Sequence, residues 1–160
     1  MRMGIIDLGT NSVRLFVYDV STSRPPKKLF QSKAMVRLGD NLYKGLELDP
    51  LAIKRTVKAL KNFKKTLSEF RVTSLRAVGT SALRTAQNAN ELISAVLQET
   101  GIALEPISGE EEARLIATGV LANEPCGSGR HLLIDIGGGS TEIIVVEDNA
   151  ITSFHSLELG

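Results

Sequence analysis

A single cysteine, Cys126, stands in the 160-residue chain, so no internal disulfide can form and the fold must rest on packing. That usage fits a reducing compartment. Tryptophan is absent and aromatic residues make up only 4%, which removes base stacking as a first explanation of function. Neither sign of charge is in excess: 19 Lys and Arg face 18 Asp and Glu, a formal net charge of +1. Bulk electrostatics give no reason to expect a nucleic-acid or membrane partner. No apolar run approaches bilayer-spanning length, and Asp7 interrupts the first apolar stretch too early for a signal peptide. The expected location is the cytoplasm. What is present is ordinary globular matter, 42% hydrophobic and 23% charged, enough for a real core.

Residues 3–8 are a short apolar run closed by Asp7-Leu8-Gly9-Thr10-Asn11, the pattern of a buried strand entering a turn. β-rich stretches follow at 12–20 and within 27–38, separated by Arg24-Pro25-Pro26, and 39–45 reads as a loop. Asp49-Pro50 opens a helix, a side-chain cap followed by a proline whose missing N–H costs nothing there. Ile53, Val57, Leu60, Leu67 and Phe70 then follow helical spacing. A strand is expected over 72–79. A second helix follows Asn88, which with Glu91 resembles a capping box, and Gly101 stops it. A short strand over 102–107 leads to Ser108-Gly109-Glu110-Glu111, another capping-box pattern, which launches a third helix towards Leu121.

Residues 123–129 form a linker containing Pro125, Gly127 and Gly129, and after it the chain begins again. Residues 131–148 line up with 3–19 without gaps through the turn. Asp7 falls on Asp135, Gly9 on Gly137 and Ser12 on Ser140, each followed by a β-branched strand. The expected division is a first domain over 1–123 and the opening of a second, similar one over 130–160. That second copy is incomplete, because its strands cannot bury both sheet faces alone.

Each turn has the chemistry of a phosphate cradle. A strand that reverses through glycine can expose successive backbone N–H groups where no side chain blocks an approaching phosphate oxygen. Gly9, Thr10, Asn11 and Ser12 supply this in the first copy; Gly137, Gly138, Gly139 and Ser140 supply it in the second. The leading carboxylates, Asp7 and Asp135, suit Mg²⁺, which takes one or two protein carboxylates alongside water and substrate phosphates. Two such turns facing each other would clamp a phosphate and its metal from both sides. The plain alternative is a pair of tight hairpins, where Gly, Asn and Ser are common. Three consecutive glycines weigh against it, since each costs roughly 1 kcal/mol of backbone entropy.

Between the turns, Glu112 stands out among Glu110, Glu111 and Glu112. Helical spacing sets it beside Leu115, Ile116, Gly119 and Val120, a largely apolar stripe. A partly desolvated carboxylate there is a candidate general base; the alternative is a solvated first-turn acid. Arg84, after Gly79-Thr80-Ser81, offers a fork of donors for phosphate oxygens, or a surface ion pair. Arg14 and Glu142 occupy matching places after the two turns, Glu142 being a possible second acid at the metal. Lys54, Lys58, Lys61 and Lys65 form a basic stripe that could guide a polyanion, although such stripes are more often solvated faces. His131 and His155 are isolated and take no catalytic role.

Four segments, 7–12, 79–84, 107–114 and 135–142, resemble in order the successive motifs of the exopolyphosphatase/guanosine pentaphosphate phosphatase family. The first alone is shared with sugar kinases, actin-like proteins and heat-shock ATPases; the other three together are specific. The resemblance spans essentially the whole chain. It implies the α/β fold of actin-like ATPases: a ribonuclease-H-like domain with a mixed five-stranded sheet and flanking helices, then the opening strands of a second. It also implies Mg²⁺-dependent hydrolysis of terminal phosphoanhydrides in inorganic polyphosphate, or of the 5′ γ-phosphate of guanosine pentaphosphate. Carried over by motif, Glu112 activates water, Asp7 and Asp135 serve the metal with help from Glu142, and Arg84 and residues 137–140 hold phosphates. Many relatives pair as homodimers, and the oligomeric state stays open. Family members continue for well over a hundred residues beyond this point, so the chain alone should be poorly active. Two other readings are an ATP-dependent kinase or ATPase of the same superfold, and a non-enzymatic regulator that binds alarmone or polyphosphate.

Overall fold

The computed structural model describes residues 1–160, the side chain of Tyr43 excepted. By packing, the chain forms two compact units, Met1–Pro106 and Ile107–Gly160.

The first unit opens with β1 (Arg2–Leu8), β2 (Ser12–Asp19) and β3 (Lys27–Met35), an antiparallel meander. After α1 (Leu42–Gly45) comes the long α2 (Pro50–Glu69), then β4 (Ser74–Gly79), which lies parallel to β1. Next come α3 (Ser81–Thr85), α4 (Ala89–Thr100) and the two-residue β5 (Glu105–Pro106). Strand order is β3-β2-β1-β4-β5, so the expected α/β class and mixed five-stranded sheet are both present. A parallel β1–β4 pair requires a crossover, and α2 provides it.

α2 starts where its sequence says. The Asp49 carboxylate accepts from the N–H groups of Leu51 at 2.7 Å and Ala52 at 3.3 Å, with Pro50 at the first turn. Ala52, Thr56, Val57, Ala59, Leu60, Phe63 and Leu67 form its buried face. That face packs on the sheet side bearing Ile6, Leu8, Val13, Leu15 and Val17, all fully buried. Each of these large side chains stabilises the unit by about 1.5–3 kcal/mol relative to exposure.

α4 departs from the expected capping. The Asn88 side chain makes no cap bond; its amide holds the Leu48 backbone instead, accepting from the Leu48 N–H at 2.7 Å and donating to its carbonyl at 3.2 Å. Gly101, left-handed at φ 70°, ends the helix as expected. α3 falls in a stretch read only as loop. It exists because Leu83 packs over Gly79, where a Cβ would come within 2.2 Å of the Leu83 Cδ1.

The second unit contains α5 (Gly109–Asn123), β6 (Arg130–Ile136), β7 (Thr141–Glu147) and β8 (Ala150–Leu157), with sheet order β6-β7-β8. α5 packs on β7 and β8, so this helix, read from sequence as the end of the first domain, lies with the second sheet. Ala113, Ala117, Ile144 and Val146 make the core of the unit, with Leu133 and Phe154 packed at its margin. No helix among the described residues is long and apolar enough to cross a membrane.

Candidate functional site

The internal repeat is a repeat of structure as well as of letters. With Asp7 laid on Asp135, β1 and β6 begin and end at matching residues. The first turn closes with Gly9 N–H donating to the Ser12 carbonyl at 3.0 Å; the second closes with Gly137 N–H donating to the Ser140 carbonyl at 2.9 Å. The correspondence reaches further along the strands. The β2–β3 ladder shifts register between Val17 and Tyr18, and the β7–β8 ladder shifts at the matching Val145 and Val146.

These bonds correct one detail of the cradle. The N–H groups of Gly9 and Gly137 are spent inside their own turns, so neither can reach a ligand. The N–H groups of Thr10 and Asn11, and of Gly138 and Gly139, donate to no described protein group; Asn11 and Gly138 are exposed, whereas Thr10 and Gly139 are buried. In the first turn the carbonyls are tied back: Asn11 accepts from Val36 and Arg37, and Thr10 accepts from Gly39 at 3.1 Å. Gly39 must be glycine to come that close, since a Cβ there would lie 2.5 Å from the Thr10 Cγ2. Sequence reading took Gly39 for loop; only this long-range contact shows that it braces the turn. Thr10 and Ser12 are buried, as is Ser140. In the second unit, Gly160 lies against Gly138 and Gly139.

β1 and β4 run parallel and end side by side, the position at which α/β sheets bind ligands. Leu8 pairs with Gly79, and the Thr80 N–H donates to the Leu8 carbonyl at 3.1 Å. The first turn and the start of α3 therefore adjoin, and Arg84, half-buried on α3, belongs to the same end of the sheet as Asp7.

The residue opposite each aspartate differs. Asp7 pairs across the ladder with Arg14, whose guanidinium lies 4.0 Å from the carboxylate. Asp135 pairs with Glu142. Directly opposed residues of an antiparallel pair share one face of the sheet, with Cβ atoms about 4.5–5.5 Å apart, and like charges there repel. Glu142 is only 1% exposed and its carboxylate accepts a hydrogen bond from the Ser156 hydroxyl at 2.8 Å; Asp135 is exposed. A divalent cation would relieve this pair and would find two carboxylates on one face. Among the described residues, no three or more of His, Cys, Asp and Glu form a metal-holding group. Mg²⁺ does not require one when substrate phosphates complete its shell.

α5 brings the remaining acid. Ser108 caps the helix, its hydroxyl accepting from the Glu111 N–H at 3.1 Å. The Glu111 carboxylate grips Arg114 through two bonds of 2.8 Å. That hydrogen bonding, reinforced by the charge of Glu111, raises the pKa of the exposed Arg114 guanidinium. Glu112 is half-buried. Of the stripe expected through Leu115, Ile116, Gly119 and Val120, Ile116 packs against the core, while the fully buried positions of the helix are Ala113 and Ala117, and Gly119 and Val120 are exposed. Small alanines let a helix approach a sheet closely, and hydrophobic spacing alone does not mark them. Glu142 lies on the same face of β7 as Ile144 and Val146, the residues that pack with Ala113 and Ala117. Glu112, next to Ala113, and Glu142 thus belong to one helix–sheet layer of the second unit.

The comparisons with known proteins agree with one another. Residues 16–160 match the model of the Ppx/GppA phosphatase family. Exopolyphosphatase 1 of Mycobacterium tuberculosis is 32% identical over 160 residues, all of this chain and 46% of that protein. The guanosine-5′-triphosphate,3′-diphosphate pyrophosphatase of Photobacterium profundum is 38% identical over 156 residues, 97% of this chain and 31% of that protein. Among solved structures, an exopolyphosphatase from Cytophaga hutchinsonii superposes with a TM-score of 0.95 at 37% identity, over 100% of this chain and 51% of that one. The chain thus spans from about a third to about half of the length of these relatives.

Proposed function

The chain belongs to the Ppx/GppA phosphatase family, and on that premise we propose that it works as an acid-anhydride hydrolase. The substrates proposed are inorganic polyphosphate, losing its terminal phosphate, and guanosine pentaphosphate, losing its 5′ γ-phosphate. The relatives' names point to both chemistries. The observation that carries the reading is the Asp135–Glu142 pair beside a glycine turn whose exposed Gly138 N–H donates to no described protein group. Like charges held at one register are an arrangement that a cation and a phosphate together stabilise.

In the second unit Asp135 and Glu142 would hold Mg²⁺, and Asp7 is the corresponding metal-serving acid of the first unit. When bound, the ion supplies positive charge to phosphate oxygens. The chain's own groups do the rest. In the second unit, N–H donors of residues 138–139 and the Ser140 hydroxyl would hold non-bridging oxygens; in the first, residues 10–11, Ser12 and Arg84 offer phosphate-binding donors of the same kind. Glu112 accepts a proton from the attacking water. The new O–P bond forms as the bridging P–O bond breaks, releasing inorganic phosphate and a chain shorter by one phosphoryl group. Such a transfer needs mainly positioning and charge neutralisation, which this inventory provides.

The test is phosphate release by the whole protein, from polyphosphate and guanosine pentaphosphate side by side, with Mg²⁺ and with chelator, in the absence of any acceptor. Metal-dependent release without an acceptor is the expected result. Turnover only when an acceptor and ATP are supplied would replace this reading with a kinase.

A further inference from the structure

α2 carries six cations and one anion, Glu69, a formal charge of +5 in a chain whose total is +1. The remaining residues therefore sum to a negative charge, so positive charge is segregated onto this helix. Three of the six cations are committed. Lys61 pairs with Glu99, Lys64 donates to the Thr100 carbonyl, and Arg55 donates to the Val36 carbonyl at 3.0 Å and lies 3.8 Å from Asp40. The other three, Lys54, Lys58 and Lys65, are exposed and have no ion-pair partner among the described residues. At 3.6 residues per turn they fall within an arc of about 40° and extend over roughly 16 Å of helix. Phe63, the single aromatic residue of α2, is buried, so this face offers charge without a stacking platform.

We propose that the Lys54–Lys58–Lys65 row is an accessory surface for a bare phosphate chain, holding long polyphosphate away from the residues that act on its end. The proposal rests on the reading that polyphosphate is a substrate. Charge complementarity selects the occupant. An extended phosphate chain presents a negative charge at every unit and carries no bases, so a line of ammonium point charges matches it without aromatic contacts. Nucleic acid binders of single strands add stacking to such a groove, and this face has none.

The experiment measures binding of long-chain polyphosphate and of tripolyphosphate to the chain across a salt series. It compares wild type with the triple variant Lys54→Gln, Lys58→Gln, Lys65→Gln. A charge-matched control neutralises the exposed strand lysines Lys27, Lys28 and Lys33. The expected result is a loss of about tenfold in long-chain affinity for the α2 variant, with a shallower salt dependence. Tripolyphosphate affinity should be unchanged, and the control should stay near wild type. Equal losses in variant and control would make the effect bulk charge and overturn the proposal. So would unchanged long-chain binding, or a single-stranded oligonucleotide held by the same lysines as tightly as polyphosphate. Binding requires no turnover, so a protein that binds through α2 yet releases no phosphate refutes only the hydrolase reading. One that releases phosphate but ignores the α2 substitutions refutes only this inference.

Discussion

The two copies of the strand–turn–strand motif share a backbone and differ in nearly everything attached to it. Turn hydrogen bond, strand limits and ladder irregularity all recur at matching residues. Within these 160 residues, about half the length of the relatives, the face that is covered does not. In the first copy Ile6 and Leu8 are 0% exposed beneath α2; their counterparts Ile134 and Ile136 are 56% and 74% exposed. The second copy instead buries the opposite side, through Leu133, Ile144 and Val146 against α5. Charge diverges likewise, with Asp7 facing Arg14 and Asp135 facing Glu142. One backbone plan thus yields a turn whose aspartate has its own counter-charge and a turn whose acids call for an external one.

That contrast can be broken by substitution. Among substitutions in the two turns, the largest effect should come from Asp135→Asn in the whole protein. We expect kcat for phosphate release to fall by about 10²–10³, the scale for losing one electrostatic stabiliser, with the Mg²⁺ requirement moved to higher concentration. Asp7→Asn, beside Arg14, should shift the Mg²⁺ requirement much less, and a metal titration of both variants decides the matter. Next is packing. In the 160-residue chain, Ile6→Ala should cost about 2–5 kcal/mol in urea denaturation, and Ile134→Ala should stay within about 0.5 kcal/mol. Equal costs would mean that the two faces are not distinguished in solution. Gly39→Ala, which drives a methyl into the Thr10 side chain, should destabilise by about 1–3 kcal/mol by the same measurement. The smallest effect sharpens the charge contrast. Arg14→Glu recreates the second copy's like-charged pair in the first, and should cost no more than about 1 kcal/mol, recovered when Mg²⁺ is added.

What the sequence disclosed was mostly local. Asp49-Pro50 announced α2, Gly101 ended α4, and the Asp-x-Gly spacing revealed the repeat, because each of these signals acts on its own neighbours. Asn88 misled because its amide is taken by Leu48, forty positions away, and no local pattern records that competition. Gly39 and Gly79 were unremarkable letters until their contacts with Thr10 and Leu83 appeared. The apolar stripe marked Ile116, whereas the small side chains of the Ala113–Ala117 seam give no bulky apolar signal. For the candidate site, the residue types and their order along the chain were legible. Which N–H groups remain available, and that Asp135 opposes Glu142, required register and hydrogen bonds.

In the proposed reaction Glu112 is the base that activates water. Glu112→Gln keeps the size and polarity of the side chain and removes its ability to take a proton. Steady-state phosphate release by the whole protein at saturating Mg²⁺ should show kcat reduced by about 10²–10⁴ with KM for polyphosphate little changed. Turnover equal to wild type would contradict it.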